Sequence, residues 1–104
     1  MRMLMKVLVP VDPGTKAFND GSLAATIEST IALIEPEAVY FGLEEGKRTA
    51  YFVFDLEDAT ELPGIAEPIF SALHATIHCT PVMTAADLKT GMTSMASAGS
   101  AKKS

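Results

Sequence analysis

The chain opens on an apolar run, residues 3–11, rich in β-branched side chains and closed by Pro10, Pro13 and Gly14. Such a run predicts a strand, and the prolines mark where ladder pairing must end. Residues 12–21 collect Asp, Pro, Gly and Asn, the residue types that supply turns, and predict a long loop. From Ser22, an N-cap residue type, Leu23, Ile27, Ile31 and Ile34 recur at helical spacing until Pro36. That spacing predicts an amphipathic helix with one buried stripe.

Residues 38–43 and 49–56 read as two strands around Glu44-Glu45-Gly46-Lys47-Arg48, where the glycine supplies the positive φ of a tight turn. The loop is either Glu45-Gly46 alone or the stretch from Glu44 to Lys47, and both place Tyr40 opposite Tyr51 and Val39 opposite Phe52. Asp58 or Thr60 caps a second helix whose buried stripe is Leu62, Ile65, Ala66, Ile69, Phe70 and Leu73. Pro63 suits its first turn, whereas Pro68 removes a donor in mid-helix and predicts a kink or break near Glu67. Residues 75–83 alternate Ile77 and Cys79 with Thr76, His78 and Thr80, a half-buried strand ending around Pro81. Thr84 and Asp87 form a capping-box pattern, so residues 85 to about 95 predict a third short helix. The small, polar end of the chain reads as a flexible tail, dividing it into a domain of residues 1–92 and a tail of residues 93–104.

The order strand, helix, strand, strand, helix, strand predicts an α+β, ferredoxin-like βαββαβ fold: a four-stranded antiparallel sheet with two helices on one face. The first and third strands, the most apolar, are its centre. Alternation assigns Met5, Val7, Val9, Phe41, Phe52, Phe54, Ile77 and Cys79 to the helix side. The uncovered side receives Leu4, Lys6, Leu8, Tyr40, Tyr51, Val53, Asp55, Thr76, His78 and Thr80. Leu4, Leu8, Val53 and two tyrosine rings would leave that side too apolar for water, which points to an interface or a groove.

With 104 residues the chain suits one hydrophobic core. Its net charge of −5 and scattered Lys and Arg residues argue against nucleic acid, whose phosphates demand clustered positive charge. Strand three, TAYFVFDL, also lacks the basic and glycine residues of an RNA-binding sheet motif. A single cysteine, Cys79, excludes an internal disulfide, and no Cys/His spacing suggests a metal site. The apolar start is broken by Lys6, Pro10 and Asp12, and no run approaches the roughly 20 residues of a membrane span, so a soluble, cytoplasmic protein is expected.

The topology over roughly residues 3 to 90, with the segments AEPIF (residues 66–70) and TPVM (residues 80–83), resembles the dimeric α/β-barrel superfamily. In that superfamily two ferredoxin-like subunits pair through their sheets; members include muconolactone isomerases, cofactor-independent monooxygenases and haem-degrading enzymes. The resemblance implies a homodimer joined through the open sheet face, and a cavity for a small organic molecule. It transfers no catalytic signature, and no cofactor is called for.

Among the residues of the open face, His78 is the first candidate for proton transfer, because imidazole titrates near neutral pH. Its ordinary reading is an edge-strand histidine at a contact or in water. Lys6 can bind a carboxylate or carbonyl oxygen, or act as a base; its ordinary reading is an ion pair with Asp55. Asp55 is the candidate activator of either, though an aspartate at a strand end is commonly a turn or cap residue. Tyr40 and Tyr51, with Thr76 and Thr80, are candidate ligand contacts, and the tyrosines serve equally as interface packing. The loop at residues 12–21 offers Lys16, Asn19 and Asp20 as a lid. Cys79 faces the helices and reads as an inert thiol. Two functions follow as expectations: a small-molecule-binding barrel carrying out isomerisation or cofactor-free oxidation, or a non-catalytic module whose open face exists to make the oligomer.

Overall fold

Side-chain alternation along the first strand sets the architecture. In β1 (Arg2–Val9) Met3, Met5, Val7 and Val9 are buried, and these side chains share a core with Ala50, Phe52 and Phe54 of β3 (Lys47–Asp55). β1 runs antiparallel to β3 and to β4 (Thr76–Pro81), and β2 (Ala38–Glu44) borders β3, giving the sheet order β2-β3-β1-β4. The two most apolar strands are therefore central, as their need for cover on the helix side requires. In this computed structural model the backbone is described for residues 1–101 and the side chains for residues 1–97.

Three helices supply that cover: α1 (Val11–Asp20), α2 (Ser22–Ile34) and α3 (Leu62–Leu73) contribute Ala17, Ile34, Ile65, Ile69 and Leu73 to the same core. The chain thus has an α+β, ferredoxin-like fold with an open four-stranded antiparallel sheet. Its first crossover differs from the expected loop and single helix, because residues 12–20 of that stretch fold as part of α1 and only Gly21 lies outside it. Pro10 precedes that helix and Pro13 lies in its first turn, where a missing N–H costs nothing. The Pro10 carbonyl accepts the first helical bond from Gly14 at 2.9 Å. Gly14 is also required by packing, since a Cβ there would lie 2.9 Å from Val9 Cγ1. Lys16, Asn19 and Asp20 consequently sit on a helix and form no lid loop.

The N-cap of α2 is Gly21, not Ser22, and the Ser22 amide donates a hydrogen bond to the Asp20 carboxylate at 2.9 Å. The β2–β3 hairpin closes through Glu45-Gly46 with φ of 54° and 73°, the conformation that matches the twist of paired strands and favours glycine. Tyr40 stands opposite Tyr51 and Val39 opposite Phe52. A short 3-10 turn, Ala59–Glu61, leads into α3, with Asp58 accepting from the Thr60 amide. Of the kink or break expected near Glu67, a break is absent, since α3 is continuous across Pro68; Pro68 and Gly64, four residues back, are both exposed, so the orphaned carbonyl faces water.

The final helix, α4 (Ala85–Ala101), begins with the expected capping box: the Thr84 amide donates to Asp87 and the Asp87 amide donates to the Thr84 hydroxyl, each at 3.0 Å. It continues past the expected end near Met95 and past the boundary at residue 92, because Ala, Ser and Met tolerate helix and no proline intervenes. Every residue from 83 to 97 is exposed. Arg2 ties the helix start to β1 through Asp87 at 3.2 Å. Residues 102–104 of the expected tail lie outside the described residues.

Candidate functional site

On the side of the sheet opposite α1 to α3, one row of side chains crosses all four strands. Tyr40 of β2 pairs with Tyr51 of β3, Tyr51 with Lys6 of β1, and Lys6 with His78 of β4. Four of the sequence candidates thus share one row, with Tyr51 and His78 on either side of Lys6. The order follows from the hairpin register and the period of two, which put every member on one face.

The row is organised by a residue just beyond the strand expected over residues 38–43. Glu44, the last residue of β2, reaches back over Gly42 and Thr49; Lys6 Nζ donates to its Oε1 at 2.9 Å and the Tyr51 hydroxyl donates to its Oε2 at 2.6 Å. Gly42 lies beside the Tyr51 ring, where a Cβ would make an ordinary contact at 3.6 Å. The network closes over Leu8 and Thr49, only 6% and 3% exposed although both lie on the open side. The open face is therefore less apolar than the pattern implied: Leu8 is covered, Leu4 and Val53 are half-buried, and Tyr40 stays 65% exposed.

Electrostatics follow from these contacts. Hydrogen bonds from Tyr51 and Lys6, followed by the charges of Lys6 and His78, hold the Glu44 carboxyl below the usual glutamate range. The Tyr51 phenol is raised, because its hydroxyl donates to a carboxylate and is partly desolvated. Glu44 is thus an ionised acceptor at neutral pH, and Tyr51 a neutral donor. The Lys6 ion pair is with Glu44, not with Asp55.

Asp55 is not brought to this row. It stands opposite Arg2, and its carboxylate pairs with the Met1 ammonium at 2.7 Å. Thr76 and Thr80 flank His78 on the same exposed strand face, opposite Leu8 and Leu4. The His78 side chain makes no hydrogen bond among the described residues and is exposed at the sheet edge. Cys79 points to the helix side, half-buried against the core, and burial pushes its thiol up, away from reactivity.

A second feature lies on the other side of the sheet. An apolar cavity of about 250 Å³ opens between α2, α3 and the outer part of the β2–β3 hairpin. Leu23, Ile27, Phe41, Leu43, Phe52 and Ile69 are among the residues that line it, and Arg48 lines it too. It exists because the helices cover the centre of the sheet and not its β2 edge, so Phe41 and Leu43, though on the helix side, are 60% and 76% exposed. The apolar strand pattern carried these residues, but nothing in it showed that α2 would stop short of them.

Among the described residues no group of three or more His, Cys, Asp or Glu side chains is placed to hold a metal ion, and no helix is long and apolar enough to cross a membrane. Comparison with known families finds no family model that matches the chain, and comparison with curated proteins finds no match.

Proposed function

We propose that this chain is a small-molecule-binding protein that works as a homodimer, with its ligand held in the cavity between α2, α3 and the β2–β3 hairpin. The observation that carries the reading is the cavity itself. Concave, largely apolar space with a few polar groups is the ordinary form of a ligand site, and at about 250 Å³ this one suits a ring or a short chain. The partner surface is the open sheet face, in the manner of the dimeric α/β-barrel superfamily. Tyr40, half-buried Leu4 and Val53, and the exposed Thr80 offer it a mixed apolar and polar patch.

Analytical ultracentrifugation and native mass spectrometry test both halves. A dimer that Tyr40→Lys splits, and a bound small molecule that Phe41→Trp excludes, are the expected results. A dimer that never carries or accepts an apolar small molecule would leave the non-catalytic oligomerisation module as the better account.

A second reading has its own observation. Glu44, held ionised beside Lys6 and Tyr51, with His78 completing the row, supplies an acceptor, two donors and an imidazole on one face. Paired faces would enclose these groups, and the chemistry they suit is proton transfer on a small organic compound, as in an isomerase or a cofactor-independent monooxygenase. Loss of turnover in His78→Gln and Lys6→Met, with the dimer intact, would favour it.

A further inference from the structure

Resting on the cavity reading above, we infer that the ligand is an amphipathic carboxylate, an apolar chain or ring in the pocket with its acid group on Arg48. Four other cationic side chains have an acid partner, Arg2 with Glu37 and Asp87, Lys6 with Glu44, Lys16 with Asp20 and Lys47 with Glu45, while exposed Lys89, outside the cavity lining, has none among the described residues. Arg48 has no carboxylate partner among the described residues, although the chain carries a net charge of −5. Its guanidinium lies 5.9 Å from the Phe18 ring centroid and makes only two long hydrogen bonds, to the Val11 carbonyl at 3.4 Å and the Thr15 hydroxyl at 3.3 Å. Both exceed the usual N–H to oxygen range, so most of its five donors are weakly engaged.

The side chain stands opposite Leu43 and Val9, which themselves line the cavity, and it lines the cavity with them. The guanidinium rests against Val11, Thr15 and Phe18 of α1, but an apolar pocket with a half-buried planar cation of weakly engaged donors in its lining is complementary to an apolar body ending in a planar anion. Arginine meets a carboxylate through paired N–H bonds, which a neutral head cannot reproduce in full. Size limits the body: an apolar cavity of roughly 150 Å³ takes benzene, so about 250 Å³ accepts a medium alkyl chain or a phenyl ring with a short arm.

Octanoate, octanol and octylamine test the inference on the intact chain, by calorimetry and by methyl chemical-shift changes at Leu23, Ile27 and Leu43. The expected result is binding in the order octanoate, octanol, octylamine, with octanoate favoured over octanol by about tenfold, the worth of one good charge-assisted bond. In Arg48→Gln octanoate should fall to the affinity of octanol while octanol is unchanged; Arg48→Lys should keep only part of the preference. Equal binding of octanoate and octanol to the unaltered protein overturns the inference and leaves the cavity reading standing. Binding of none of the three overturns both, as does an octanoate response confined to Lys6 and Tyr51. The wild-type comparison decides even if the variants fail to fold.

Discussion

The Tyr51 hydroxyl donates to Glu44 across a hairpin, at 2.6 Å, while Lys6 on the next strand takes the other carboxylate oxygen at 2.9 Å. One acid therefore serves two strands. It neutralises the lysine, orients the phenol and roofs two side chains on the open face. Because the phenol gives its proton toward a negative charge, ionising it would place two anions together, and its pKa is raised. In a Tyr40→Phe background, where Tyr51 is the sole tyrosine, the phenolate absorbance should appear at higher pH than in a tyrosine peptide. Adding Glu44→Gln should bring that titration back toward the ordinary value. An unchanged midpoint would show that the bond does not persist in solution.

The same pair gives stability a plateau with two edges. Glu44 has a folded pKa below its unfolded one, so its contribution is present above the ordinary glutamate value and is lost as pH falls through the folded one. Tyr51 is displaced the other way; its contribution holds below the ordinary tyrosine value and is lost as pH rises through the folded one. Urea midpoints of the wild type and Glu44→Gln should thus differ most near neutrality and converge toward both extremes. Both groups are partly solvent-exposed, so the gap is modest. Asp20, Asp58 and Asp87, each also lowered, keep part of the acid slope in the variant.

Two helical glycines should respond in opposite directions to alanine. At Gly14 the new Cβ would lie 2.8 Å from Arg48 Nη1 and 2.9 Å from Val9 Cγ1. The arginine tip can swing away, but Val9 is buried and stiff at its branched carbon. Overpacking of about 1–3 kcal/mol then outweighs the helix gain of about 0.5–1 kcal/mol. At Gly64 nothing lies within 4 Å, so the helix gain stands alone. Denaturant midpoints at constant slope should fall for Gly14→Ala and rise for Gly64→Ala; a neutral Gly14→Ala would mean that α1 does not rest on β1.

Much of this architecture was legible because strand alternation has a period of two and the hairpin turn fixes register. Once Tyr40 faced Tyr51, the sides taken by Lys6, His78 and Cys79 followed. The sequence misled where one residue type serves two structures. Pro13 and Gly14 read as loop formers, yet proline fits a first helical turn and glycine fits a close approach, so α1 was missed. Glu44 lies just beyond the strand expected over residues 38–43, and two loop lengths are open from sequence; the two-residue loop puts it on β2, from where it reaches Lys6. Asp55 stood on the expected face, but its separation of four residues from Tyr51 puts it roughly 13 Å along the strand. The cavity was invisible, since it depends on where α2 ends across the sheet and on no local pattern.

Phe52 and Phe41 separate core from ligand site. Both rings are on the helix side and both line the cavity, yet Phe52 is 2% exposed at the sheet centre and Phe41 is 60% exposed at its edge. Phe52 packs beside Met5 and Val39 in the register, so Phe52→Ala removes a ring that the core cannot replace, at a cost of about 3–5 kcal/mol. Phe41→Ala removes a ring that water already touches, and its cost should stay near the half kcal/mol typical of surface changes. Its effect should appear in binding instead, because octanoate would lose one wall of the pocket. Thermal unfolding with and without octanoate reads both quantities. A large destabilisation by Phe41→Ala in the absence of octanoate would mean that this ring is packed in solution, and that the cavity is closed by a neighbour instead of waiting for a ligand.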